Sequence, residues 1–73
     1  MKSLYQVTHL QIAAHFRFLR LTIRSGKPMT KAKYDLIQDD SGFLWNTAEY
    51  FSRAEKLEHL CFIAKKRGLI HAN

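Results

Sequence analysis

The sequence predicts an all-α fold, three or four helices in a small bundle that dimerisation completes. Three observations predict it. Apolar residues recur at three- and four-residue spacing over two long stretches, and no stretch alternates in the manner of a strand. Helix-stop and helix-start signals fall at "SGKPMT" (25–30) and around "KKRGL" (65–69). Finally, 73 residues with a 47% hydrophobic content are too apolar for disorder, yet form too small a core to be comfortable alone. Cys61 is the only cysteine, so no disulfide can staple the chain, and association is the usual remedy. A single domain spanning 1–73 is expected.

The first helix is expected over about 4–24. Ser3-x-x-Gln6 and Thr8-x-x-Gln11 both fit a capping box, which leaves the start open by a turn. Val7, Leu10, Ala14, Phe18 and Leu21 share one face, and Ile12, Phe16, Leu19 and Ile23 lie beside it. Ala13, Arg17, Arg20 and Arg24 make up the remaining stripe. Such an apolar arc is wider than one packing neighbour requires. Residues 25–30 form a loop: Gly26 suits the position after a helix end and Pro28 cannot continue one. Thr30 can cap a second helix, with Met29 placed to staple against Tyr34.

That second helix is expected to be short, about 31–38. Asp39-Asp40-Ser41-Gly42 then either ends it or opens the next, although a helix could run through Gly42 at about 1 kcal/mol relative to Ala. A last helical region follows over about 43–67. Phe43, Tyr50, Ala54, Leu57, Cys61 and Ala64 carry its apolar row, with Leu44, Ala48, Phe51 and Phe62 alongside. Ser52-x-x-Glu55 is a further capping box and predicts a kink near 52. Lys65, Lys66 and Arg67 complement the C-terminal dipole, Gly68 sits just past the end, and Leu69 can fold back as the hydrophobic cap contact.

The net charge of +6 is unevenly placed. Residues 1–33 hold seven Lys/Arg and no acid, residues 34–64 hold all six acids, and Lys65-Lys66-Arg67 follow. A basic first half suits nucleic acid, an anionic membrane or an acidic protein surface, or serves only to keep an apolar protein soluble. No apolar run approaches the roughly 18 residues that span a bilayer, and His9, Gln11, His15 and Arg17 interrupt any leader-like stretch. A cytoplasmic protein without a membrane partner is expected.

Site chemistry is sparse. His9 and His15 are six apart, His59 and Cys61 two apart, and neither spacing gathers ligands on one helical face, so no metal is expected. No Gly-x-Ser-x-Gly or phosphate-cradling glycine loop is present, and Glu55 and Glu58 read as a solvent face beside Arg53 and Lys56. Neither an enzyme nor a cofactor is expected. A helix, a Gly-bearing turn and a second helix give the loose outline of a helix-turn-helix. Arg17, Arg20, Arg24, Lys27, Lys31 and Lys33 could then form a phosphate-facing ridge, the basis of an alternative reading as a small nucleic-acid-binding regulator. No candidate recognition helix presents residues suited to base edges, so a protein-interaction module is the leading class. Its partner surface is expected on the surplus apolar residues of the first helix, Leu10, Phe18 and Leu21, flanked by Arg17 and Arg20.

A family pattern enters at Ser41-Gly42, a small pair followed by Leu44-Trp45, then Ala48, Ser52, an aromatic at Phe62 and a basic residue at Lys66. Over residues 41–70 this resembles the AraC Negative Regulator (ANR) family of small cytoplasmic proteins of Gram-negative pathogens and their phages. PerC-like regulators, with a similar Trp-bearing helix, come close behind. Phe62 stands where the family has a later tryptophan and Ile70 where it ends on cysteine, while Lys33, Leu36 and Gln38 depart from it. The resemblance implies a negative regulator that binds an AraC-type virulence activator directly and blocks its dimerisation or DNA binding. Contact with nucleoid-associated proteins is a further family theme, whereas DNA is a partner only through the basic ridge. Leu44, Trp45, Ala48, Ser52, Phe62 and Lys66 would be its scaffold: Ala48 and Ser52 permitting close helix approach, Trp45 and Phe62 locking it.

Overall fold

The computed structural model describes residues 8–71, which form three α-helices, one turn of 3-10 helix and no strand beyond a single bridge pair. α1 is His9–Ser25, α2 Lys31–Trp45 and α3 Phe51–Lys66, with the 3-10 turn Ala48–Tyr50 between the last two. His9 meets Tyr50 and Arg53 at one end of the bundle, while Arg67 donates to the Ile23 carbonyl at the other. α1 and α3 therefore run parallel. α2 runs the opposite way, since His15 pairs with Asp40 whereas the later Phe18 meets the earlier Lys33, and α3 is the helix that packs against both of the others.

Of the two capping boxes, the second is realised. The Thr8 side chain accepts from the Gln11 backbone at 3.2 Å, and Gln11 Oε1 accepts from the Thr8 backbone at 2.8 Å. Thr8 is extended (ψ 164°), so a helix continuous from Leu4 is corrected to one starting at His9. The Ser3 box, Leu4 and Val7 lie outside the described residues. Gly26 ends α1 in the left-handed region (φ 76°), and Thr30 caps α2 through the Lys33 backbone.

Two boundaries differ from expectation. α2 does not stop near Gln38 but passes through Asp39-Asp40-Ser41-Gly42 to Trp45. Asp40 and Ser41 are buried and spend their side chains on partners across the core, His15 and the Ala54 carbonyl, instead of capping a helix end. The expected 43–67 region is also broken, but at Asn46–Tyr50 and not at Ser52. Asn46 and Thr47 bond back to Phe43 and Leu44, and the chain turns through 3-10 geometry into α3. Ser52 is already the second residue of α3, so its box with Glu55 is not used.

The core forms where the three helices face one another. Ile12 and Leu19 of α1, Ile37 and Leu44 of α2, and Leu57 of α3 are all buried. Ala54, Cys61 and Ala64 are also buried on α3, and their small side chains let α1 and α2 approach its backbone. The end of α3 follows the expected pattern: Leu69 donates to the Ala64 carbonyl and Gly68 (φ 71°) to that of Lys65, a Schellman motif. Leu69 then folds into the core, and Met29 and Ile70 pair as a parallel bridge that ties the α1–α2 loop to the chain beyond α3.

Candidate interaction surface

α1 carries two apolar rows, and packing separates them. The row containing Ile12 and Leu19 faces the core, together with His15 and Thr22 at the same 3-4-3 spacing. The row beside it faces outward. Leu10 is 82% and Leu21 52% exposed, and with Ala13, Ala14, Arg17 and Phe18 they line a shallow depression of about 420 Å³. Phe18 is half-buried, with the Lys33 ammonium 4.9 Å from its ring centroid. Of the five residues expected to bind a partner, Leu10, Phe18, Leu21 and Arg17 thus share one surface. Arg20 turns away to lie 5.3 Å from the Phe16 ring, on the side facing α3.

The six-residue basic ridge is not assembled. Arg17 and Arg20 border α3, Lys33 covers Phe18, and Lys31 pairs with Asp35 at 3.0 Å within α2. Arg24 and Lys27 are exposed near the α1–α2 loop. The scaffold residues also part company. Leu44 is fully buried, but Trp45 is half-buried, its Nε1–H donating to Glu58 Oε2 at 2.9 Å and its ring meeting Phe51 edge-on. Ala48, Ser52 and Phe62 are exposed, and Lys66 lies over the Phe62 ring at 5.9 Å. Close helix approach therefore rests on Ala54 and Ala64, and Phe62 does not lock the bundle.

The buried polar centre was missed at the sequence level. His15 Nε2 lies 2.5 Å from Asp40 Oδ2, while His15 Nδ1 and Asp40 Oδ1 are buried without a hydrogen-bond partner. Burial, reinforced by the Lys33 ammonium, holds the imidazole below the ordinary histidine range, and burial holds the carboxyl above the ordinary aspartate range. Helical spacing with Ile12, Leu19 and Thr22 was the available signal for His15. The pair is enclosed, so it joins α1 to α2 and offers no reaction site.

Among the described residues no cluster of His, Cys, Asp and Glu could hold a metal ion, and no helix is long and apolar enough to cross a membrane. No family model, curated protein or solved structure matches the chain.

Proposed function

We propose that the chain is a small helical binding module that lowers transcription by gripping an AraC-type activator through the outer face of α1, with no catalytic step of its own. The observation that carries this reading is the exposed Leu10–Leu21 stripe. Its ends are 11 residues apart, about 16 Å along the helix, with an apolar floor and Arg17 at the edge. Fully burying one such leucine contributes about 1.5–3 kcal/mol, so the stripe suits an apolar helix or groove of a partner. The activator itself comes from the family resemblance of residues 41–70, and the cytoplasm is where it would be met.

A second occupant is favoured by the spacing. Positions 10, 13, 14, 17, 18 and 21 read the same in both directions about a midpoint between 15 and 16. A second copy laid antiparallel would set Leu10 against Leu21 and Ala13 against Phe18, the self-complementarity a two-fold interface requires. Self-association and activator binding would then compete for one stripe.

The test is a reporter driven by an AraC-type activator, measured with wild type and with Leu10→Asp/Leu21→Asp, alongside light scattering of each protein. The double variant should keep its helical circular dichroism, lose repression and remain monomeric. Undiminished repression by the folded variant would sink the reading.

A further inference from the structure

A second surface lies between the parallel helices α1 and α3, on the far side of Arg17 from the apolar stripe. There a groove of about 460 Å³ is walled by Arg17 and Arg20 from α1 and Arg53 and Lys56 from α3, over a floor that includes Ile12 and Phe16. Among the described residues none of these four cations forms an ion pair, and residues 1–7 contain no Asp or Glu. Glu55 lines the adjoining depression, to which Arg20 and Lys56 also contribute, without forming an ion pair with either.

Two of the arginines are held in place. Arg20 rests on the Phe16 ring, and Arg53 donates to His9 Nδ1 at 3.3 Å. Arginine has no acceptor, so this bond leaves the His9 proton on Nε2, which donates to the Tyr50 hydroxyl oxygen at 3.0 Å. Two helices thus present unneutralised charge to one small volume above apolar side chains, where attraction for an anion is stronger than in open water. A single carboxylate offers one negative charge to four cations. Adjacent phosphate groups offer more, with several oxygens suited to the forked guanidinium donors.

We propose that the α1–α3 groove is a binding site for linked phosphate groups, of the kind carried by a free oligophosphate or by a nucleic-acid backbone. This site shares Ala13 and Arg17 with the border of the apolar stripe, but it rests on Arg20, Arg53 and Lys56 and does not depend on the activator-binding reading.

The test is titration of the isotope-labelled full chain, followed by NMR at about 0.15 M salt, where long-range attraction between exposed charges is screened. The probes are sodium tripolyphosphate, a short single-stranded DNA and polyglutamate. Saturable shifts centred on the amides of Arg17, Arg20, Arg53 and Lys56 are expected with a phosphate probe. Arg20→Gln/Arg53→Gln should weaken them by about tenfold or more, as loss of charged hydrogen bonds requires. Lys27→Gln/Lys31→Gln, which removes equal charge outside the groove, should leave them unchanged. Binding of tripolyphosphate as tight as that of DNA identifies a free oligophosphate, and much tighter DNA binding identifies the backbone. Equal binding of polyglutamate, equal weakening by both double variants, or no saturable shift with either phosphate probe would overturn the proposal.

Discussion

His15 and Asp40 meet at 2.5 Å in the packed interior, and this contact is the polar link between α1 and α2. It joins residues 25 apart in sequence, and each partner keeps one buried atom unbonded. A buried pair of this kind is costly to break and cheap to replace. Removing one member strands the other, whereas removing both also removes the desolvation penalty. His15→Leu or Asp40→Val alone should cost about 3 kcal/mol. The double variant should cost less than either single change, by urea unfolding. A double variant whose loss equals the sum of the singles would show that the pair carries no coupling.

The two pKa displacements have opposite consequences as pH falls. His15 is held below its ordinary value of 6.5, so the unfolded chain takes up a proton there that the folded chain resists, and stability falls as pH drops below about 6.5. Asp40 is held above its ordinary 3.8, so the folded chain gains a proton first and recovers stability on acidification. In the wild type the two partly offset. Asp40→Asn removes the second effect and also takes the carboxylate from beside the His15 imidazole, which disfavours its protonation further. As pH falls from 6.5 to 3.8, the ordinary values of the two groups, its unfolding midpoint should fall more steeply than the wild-type midpoint. Parallel pH profiles would refute the assignment.

Two glycines should respond oppositely to the same substitution. Gly42 lies inside α2, and a Cβ there would meet nothing within 4 Å. Gly42→Ala should therefore stabilise by about 1 kcal/mol, the difference in helix propensity. Gly68 also has open space, but its φ of 71° lies in the left-handed region, so Gly68→Ala should destabilise by about 1 kcal/mol. Thermal unfolding of both variants reads the signs directly.

Cys61 offers a probe of opening. Its thiol is buried, and burial together with the Glu58 carboxylate pushes its pKa up to about 11. Thiolate is the reactive form, so labelling by a disulfide reagent near neutral pH should be slow in native protein and complete in urea. The native rate should rise in the His15→Leu variant in step with its loss of stability. Fast labelling of the intact wild type would mean that α3 opens locally.

The placement of helix ends shows how far the sequence reaches. Thr8-x-x-Gln11, Gly26, Thr30 and Gly68-Leu69 were legible because each signal works through its own neighbours, by a side chain closing on a nearby N–H or a glycine accepting positive φ. Asp40, Ser41 and Ser52 carried the same kind of signal and misled. Their local capping potential was outweighed by what the packed helices offered, a histidine and a carbonyl across the core for the first two and a place already inside α3 for the third.

The all-α class, the two apolar rows of α1 and the cap at Gly68 were therefore set by the sequence itself, since periodicity and local backbone chemistry suffice for them, while packing decided that the row of Leu10, Phe18 and Leu21 faces outward. The through-running α2, the break at Asn46–Tyr50, the His15–Asp40 contact and the joining of Arg17 and Arg20 to Arg53 and Lys56 were decided by tertiary structure. Each depends on which residues distant in the chain become neighbours, and only the packing of three helices determines that.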